Sequence, residues 1–203
     1  MIDSSSTPLI LNTLSDKQLI KLLNNGAVGV LPTDTLYGLV CRAADQAAVK
    51  RLYKLKHREK KPGTVVAASI EQLVDLGLKA RYLKVVEQYW PGPISIIIPC
   101  VDLSYVHLGV GSVPVRISAD ASLNKLLFSA GPLLTSSANQ PGQPPANNLA
   151  EAQVYFDNQV DFYVDGGDLS NRPPSTIIRI VDDAIEIVRP GAVNINEAGR
   201  IIQ

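Results

Sequence analysis

Ala27-Val28-Gly29-Val30-Leu31-Pro32-Thr33-Asp34-Thr35-Leu36-Tyr37-Gly38 is the stretch that decides the fold. Ala27 to Leu31 is an unbroken apolar run, which reads as a strand buried on both faces. Pro32 ends it, and small polar residues follow at once. Upstream, Leu19, Ile20, Leu22 and Leu23 form an apolar stripe at helical spacing, and Gly26 supplies the stop. Ser15-Asp16-Lys17-Gln18 predicts a capping box, with Ser15 as the cap and Gln18 reaching back. A helix, a buried strand and a polar edge form the repeating unit of an α/β fold.

The same alternation continues outward. Asp45 predicts the cap of a second helix ending near Lys56, and Ser69 with Gln72 opens another. A helix through Lys84–Glu87 stops before Pro91. Strands are predicted at Thr64–Ala67, Ile94–Ile98, Val113–Ile117, Pro132–Thr135, Asp161–Val164, Thr176–Val181 and Ile185–Val188. The last two flank Asp182-Asp183-Ala184 and so predict a hairpin, which makes the sheet mixed. Pro141 to Pro145 reads as a loop inside the domain. The expectation is a single α/β domain over residues 1–203, with its core at about 10–195 and a twisted mixed sheet flanked by helices.

Composition narrows the class. Hydrophobic residues make up 46% and charged residues 19%, enough for a substantial core. Lys plus Arg is 19 and Asp plus Glu is 19, so any basic surface must be local. Cys41, Cys100, His57 and His107 have no zinc-site spacing, and no metal site built by the protein alone is expected. Both histidines read as surface residues. The polar N-terminus lacks a secretory pattern, and the longest apolar stretch, Ile94 to Cys100, is too short to span a bilayer. A cytoplasmic location with both thiols free is therefore expected.

Three segments could carry chemistry. Lys50, Arg51, Lys54, Lys56, Arg58, Lys60 and Lys61 crowd together, with Glu59 the one acid among them. Read alone, they are a solvated helix face, a phosphate site or a nucleic-acid contact. Thr33, Asp34, Thr35 and Tyr37 follow a strand end, where α/β proteins bind ligands, although read alone a polar turn bonded to its own backbone is the simpler account. Thr135-Ser136-Ser137-Ala138-Asn139 allows the same two accounts. Neither G-x-x-x-x-G-K-[ST] nor G-x-G-x-x-G occurs, so a nucleotide site here is of another type.

Taken in order, these segments resemble the YrdC-like threonylcarbamoyl-AMP synthase family of the single-domain TsaC type. The motifs are Pro32-Thr33-Asp34-Thr35-Leu36-Tyr37-Gly38-Leu39, Lys56-His57-Arg58, Trp90-Pro91-Gly92-Pro93, Val115-Arg116, Ser137-Ala138-Asn139, Pro174-Ser175-Thr176-Ile177 and Arg189-Pro190-Gly191. The resemblance implies the YrdC-like fold and an L-threonylcarbamoyladenylate synthase. Such a nucleotidyltransferase makes threonylcarbamoyl-AMP and pyrophosphate from L-threonine, bicarbonate and ATP with Mg²⁺. Other proteins then transfer the threonylcarbamoyl group to tRNA. It implies Lys56 and Arg58 as catalytic cations. ATP would meet Lys56, Arg58, Lys61, Ser112, Ser137, Asn139 and Arg189. Threonine would meet Thr33, Thr35, Tyr37, Arg116, Thr135 and Ser175. Glu59, Ser95 and Ser118 depart from common family residues, and Ala67 stands where some members carry His. An RNA-binding module of the same fold without turnover is the alternative, but aromatic residues at 5% offer few stacking platforms. A carbamoyl transferase of the hydrogenase-maturation kind is a second alternative.

Overall fold

The computed structural model describes residues 7–182, 184–196 and 199–202. The polar leader Met1–Ser6 and Asp183 of the expected hairpin turn lie outside the described residues. In chain order the elements are β1 (Leu9–Leu11), α1 (Lys17–Asn24), β2 (Gly29–Pro32), β3 (Tyr37–Arg42), α2 (Gln46–Leu55) and β4 (Thr64–Ala67). Next come α3 (Ile70–Leu76), α4 (Ala80–Val86), β5 (Ile94–Pro99), α5 (Ser104–His107), β6 (Ser112–Ile117) and α6 (Ala121–Ala130). The chain continues with β7 (Leu133–Ser137), α7 (Leu149–Phe156), β8 (Phe162–Val164), β9 (Thr176–Val181), β10 (Ala184–Arg189), β11 (Asn194–Ile195) and β12 (Ile201–Ile202).

Ten strands form one mixed sheet in the order β1-β8-β2-β3-β7-β4-β6-β5-β9-β10. The fold class is α/β, as the alternation predicts, and β9 and β10 pair antiparallel as the hairpin requires. Asp45 caps α2 through a bond from the Ala48 N–H, and Ser69 caps α3. Three expectations need correction. The cap of α1 is Asp16, not Ser15: Asp16 has the extended backbone of a cap, and its carboxylate accepts the Gln18 N–H at 2.8 Å. The polar turn after Pro32 is shorter than read, because Tyr37 and Gly38 already belong to β3, a central strand buried along nearly its whole length. His107 is not a surface residue: its Nδ1 accepts the N–H groups of Gly109 and Gly111, each at 3.1 Å, and this buries the ring against the turn that ends α5.

The two faces of the sheet have different fates. One is sealed by α2, α4, α5 and α7, whose Val49, Leu52, Leu83, Val86, Val106 and Phe156 join the larger core. On the other, Val40, Val66 and Leu133 pack under Leu19 and Leu23 of α1 and Leu123, Leu126 and Leu127 of α6. Cross-strand partners share a face. Gly38 pairs with Ser137, Thr135 with Thr64, Val66 with Arg116, Ser95 with Ile177 and Ile177 with Arg189. These residues therefore continue the face that α1 and α6 begin to cover. There the helices stop, and the sheet floor carries hydroxyls and guanidinium groups instead of leucines.

Candidate active site

The bare half of this face is the floor of a cleft of about 110 Å³. Its lining includes Thr33, Thr35, Tyr37, Arg58, Lys61, Thr64, Arg116, Thr135, Ser137, Ser175 and Arg189. The ligand position expected at strand ends thus extends onto the sheet face itself. Gly38 keeps the floor open, since a Cβ there would lie 2.9 Å from Thr135 Oγ1.

Three guanidinium groups, Arg58, Arg116 and Arg189, converge on the cleft. Desolvation is the main cause that lowers the pKa of each. For Arg189 the charges of Arg116 and Arg58 are the next causes, so Arg189 feels both neighbours. Arg189 reaches the cleft because β10 bulges between Ile187 and Arg189, which brings Arg189 opposite Ile177. Its Nη2 donates to the Ser175 carbonyl at 2.6 Å and to Ser175 Oγ at 3.0 Å. Ser175 Oγ also lies 3.0 Å from Ser95 Oγ, so the serine at this departure from the family pattern backs Ser175 with a buried hydroxyl behind the lining.

The turn between β2 and β3 is partly self-bonded. Thr33 Oγ1 donates to the Leu36 carbonyl at 2.7 Å and accepts the Thr35 and Leu36 N–H groups, each at 3.2 Å. Tyr37 Oη donates to the Gly167 carbonyl at 2.9 Å and accepts the Gly166 N–H at 2.7 Å, which ties the turn to the loop after β8. Asp34 accepts from Arg116 Nη2 at 2.7 Å, and both side chains are at least nine-tenths buried.

Three expected ligand groups stand apart from the lining. Lys56 Nζ is buried behind the wall, where it donates to the Ser137 carbonyl at 2.9 Å, to Asn139 Oδ1 at 2.7 Å and to the Asn139 carbonyl. Burial pushes its pKa down to about 7, and Arg58 adds repulsion. Asn139 Oδ1 also accepts from Ser137 Oγ at 2.8 Å, so these two side chains meet each other. Ser112 shares the cleft face with Pro114 but opens β6 one step beyond the lining. Thr64 escaped the sequence reading of the site, and Asp34 was named at the strand end without a partner. Strand pairing opposite Thr135 places the first, and the tertiary contact with Arg116 places the second.

Among the described residues no three His, Cys, Asp or Glu side chains gather as a metal site, and no helix is long and apolar enough to cross a membrane. Comparison with known proteins places this architecture. A threonylcarbamoyl-AMP synthase of Pseudomonas paraeruginosa is 33% identical over 178 residues, covering 84% of this chain and 94% of the relative. A synthase of the same name from Pyrococcus abyssi is 28% identical and covers 89% of this chain, but this chain spans about half (55%) of that relative's length. The structure of P. abyssi Sua5 complexed with L-threonine superposes with a TM-score of 0.81 at 26% identity, over 91% of this chain and 58% of that one. The family model Sua5/YciO/YrdC, described as "Telomere recombination", matches residues 21–191. This chain belongs to the Sua5/YciO/YrdC family.

Proposed function

We propose that this chain is an L-threonylcarbamoyladenylate synthase. The observation that carries this reading is the cleft over one sheet face, in which Arg58, Arg116 and Arg189 gather with the hydroxyls of Thr35, Thr64, Thr135 and Ser175. Such a face suits one substrate with a carboxylate and a hydroxyl beside another with phosphates. The threonine amine and bicarbonate give a carbamate with loss of water. A carbamate oxygen then forms a bond to the α-phosphorus of ATP, and the bond from that phosphorus to the bridging oxygen breaks, releasing pyrophosphate. Charge grows on phosphate oxygens in this step, so the protein chiefly supplies cations and position.

Arg116 holds the threonine carboxylate, with Thr35, Thr135 and Ser175 near its hydroxyl and amine. Arg58, Lys61 and Arg189 face the phosphates, with Ser137 beside them. Lys56 is a positioning residue in this scheme: its ammonium holds the Ser137–Asn139 turn through three acceptors. The donor set of the cleft is hydroxyls and cations without a carboxylate cluster, which fits Mg²⁺ arriving on ATP rather than in a protein cage. The metal supplies charge neutralisation on the phosphates when bound. Transfer of the product to tRNA falls to other proteins, in the cytoplasm.

The deciding experiment measures pyrophosphate release with each substrate omitted in turn. Release is expected only with ATP, L-threonine, bicarbonate and Mg²⁺ together. Release indifferent to threonine, or tight RNA binding without turnover, overturns the assignment.

A further inference from the structure

We infer that Asp34 is a positioning residue for the threonine subsite, acting as a strap that fixes the Arg116 guanidinium and the Thr33–Leu36 turn across the cleft floor. This deepens the reading above and rests on it for the identity of the ligand.

Asp34 lies in the turn between β2 and β3, whereas Arg116 lies on β6, and β7 and β4 run between β3 and β6. Neighbouring strands are about 4.8 Å apart, so three steps separate the two backbones by roughly 14 Å. The 2.7 Å contact from Arg116 Nη2 to Asp34 Oδ1 therefore means that the side chain and the turn reach toward each other over the floor. The floor beneath them is Thr135 and Thr64. The turn that the strap holds carries Thr33 and Thr35, both buried at the cleft wall.

The bonding is incomplete in a way that a purely structural pair would not require. Asp34 Oδ2 and Arg116 Nε are both buried without a hydrogen-bond partner. A buried pair of this kind adds little stability over an apolar replacement, because desolvation offsets the Coulomb attraction. What a charged strap does supply is direction. With Nη2 fixed, the guanidinium plane loses rotational freedom, and its remaining N–H groups keep one orientation toward the cleft. Asp34 itself is not among the groups lining the cleft, so it acts through Arg116 and not on the ligand. Its charge also favours the charged form of Arg116 against the desolvation that opposes it.

The experiment compares wild type, Asp34→Asn, Arg116→Gln and the double variant in pyrophosphate release, with KM measured separately for threonine and ATP. Asp34→Asn is expected to raise the threonine KM on the order of tenfold, the loss of a charge-assisted hydrogen bond, while the ATP KM stays within about twofold. The effect should vanish in the Arg116→Gln background, because a strap with nothing to hold does nothing. An unchanged threonine KM, equal shifts for both substrates, or full additivity with Arg116→Gln overturns the inference.

Asp34→Asn leaves a buried guanidinium without its counter-charge, so Asp34→Glu is the companion variant that keeps the charge and displaces it by one methylene. A threonine KM between those of wild type and Asp34→Asn is expected. An unchanged value in a folded Asp34→Glu protein, with Asp34→Asn unfolded, overturns the inference. Nitrogen-15 spectra of the Arg116 side chain separate this claim from the assignment of function. Restricted rotation of the Nη groups is expected in wild type and free rotation in Asp34→Asn, whether or not the protein turns threonine over. Free rotation in both overturns the strap. Absence of threonine-dependent turnover in wild type overturns the function alone.

Discussion

At Lys56, burial and hydrogen bonding pull in opposite directions. Desolvation, followed by repulsion from Arg58, pushes the pKa from its ordinary 10.5 down to about 7. Three acceptors around Nζ match the three donors of an ammonium, and this resists deprotonation. The depressed pKa sets a sign for stability. Below about pH 7 both folded and unfolded chains carry the charge, and the folded state bears the whole cost of burying it. Between about 7 and 10.5 the unfolded chain binds the extra proton, so this site's contribution to stability rises with pH. Denaturant unfolding of wild type and Lys56→Gln should show the wild-type advantage growing from pH 7 to pH 10. A difference that shrinks over that window contradicts the assigned cause. The sequence placed Lys56 in a basic run beside Arg58 but could not say which charge faces the cleft. Helix phase decides that: Lys56 ends α2 turned inward, while Lys50 stays exposed.

At the level of elements, α2 shows how a short local signal governs the site. Asp45 Oδ1 accepts the Ala48 N–H at 2.9 Å, and the helix then runs to Leu55, immediately before Lys56 and Arg58. Asp45→Ala should lower stability by about 1 kcal/mol, the usual worth of an N-cap, read as a lower denaturant midpoint with an unchanged slope. A change below a few tenths would mean that tertiary packing alone holds the helix start. Strands with apolar runs of five or six residues were legible, as were the caps at Asp45 and Ser69. The helix α6 had a readable pattern in Leu123, Leu126, Leu127 and Ala130 behind its cap Asp120, and was passed over. β3 was harder to recognise: burial on both faces removes alternation, and its first residues also serve the polar turn. The bulge in β10 has no sequence signature, yet it decides which face Arg189 joins.

For the molecule as a whole, the cleft is the part of a sheet face that α1 and α6 leave uncovered, with cations held in place before any ligand arrives. The charges of Arg116 and Arg58 act on Arg189 there, and an anionic ligand that relieves them links binding to folding stability. A ligand that binds only the folded chain at a hundred times its Kd adds about 2.7 kcal/mol. Saturating L-threonine should therefore raise the melting temperature, and Arg116→Gln should abolish the rise while leaving any rise with Mg²⁺ and ATP largely intact. A threonine shift that survives Arg116→Gln would place the amino acid elsewhere.

Local signals along the chain set the α/β class, most of the strands, the closing hairpin and the set of residues that resemble the family's motifs. Those features are local: apolar period, caps and turn formers act within a few residues. Tertiary structure alone decided that the cleft lies on a sheet face, that Lys56 supports the Ser137–Asn139 turn from behind, that Ser112 falls beyond the lining and that Asp34 meets Arg116. Each of these depends on strand order and register, which bring side chains 82 positions apart into contact.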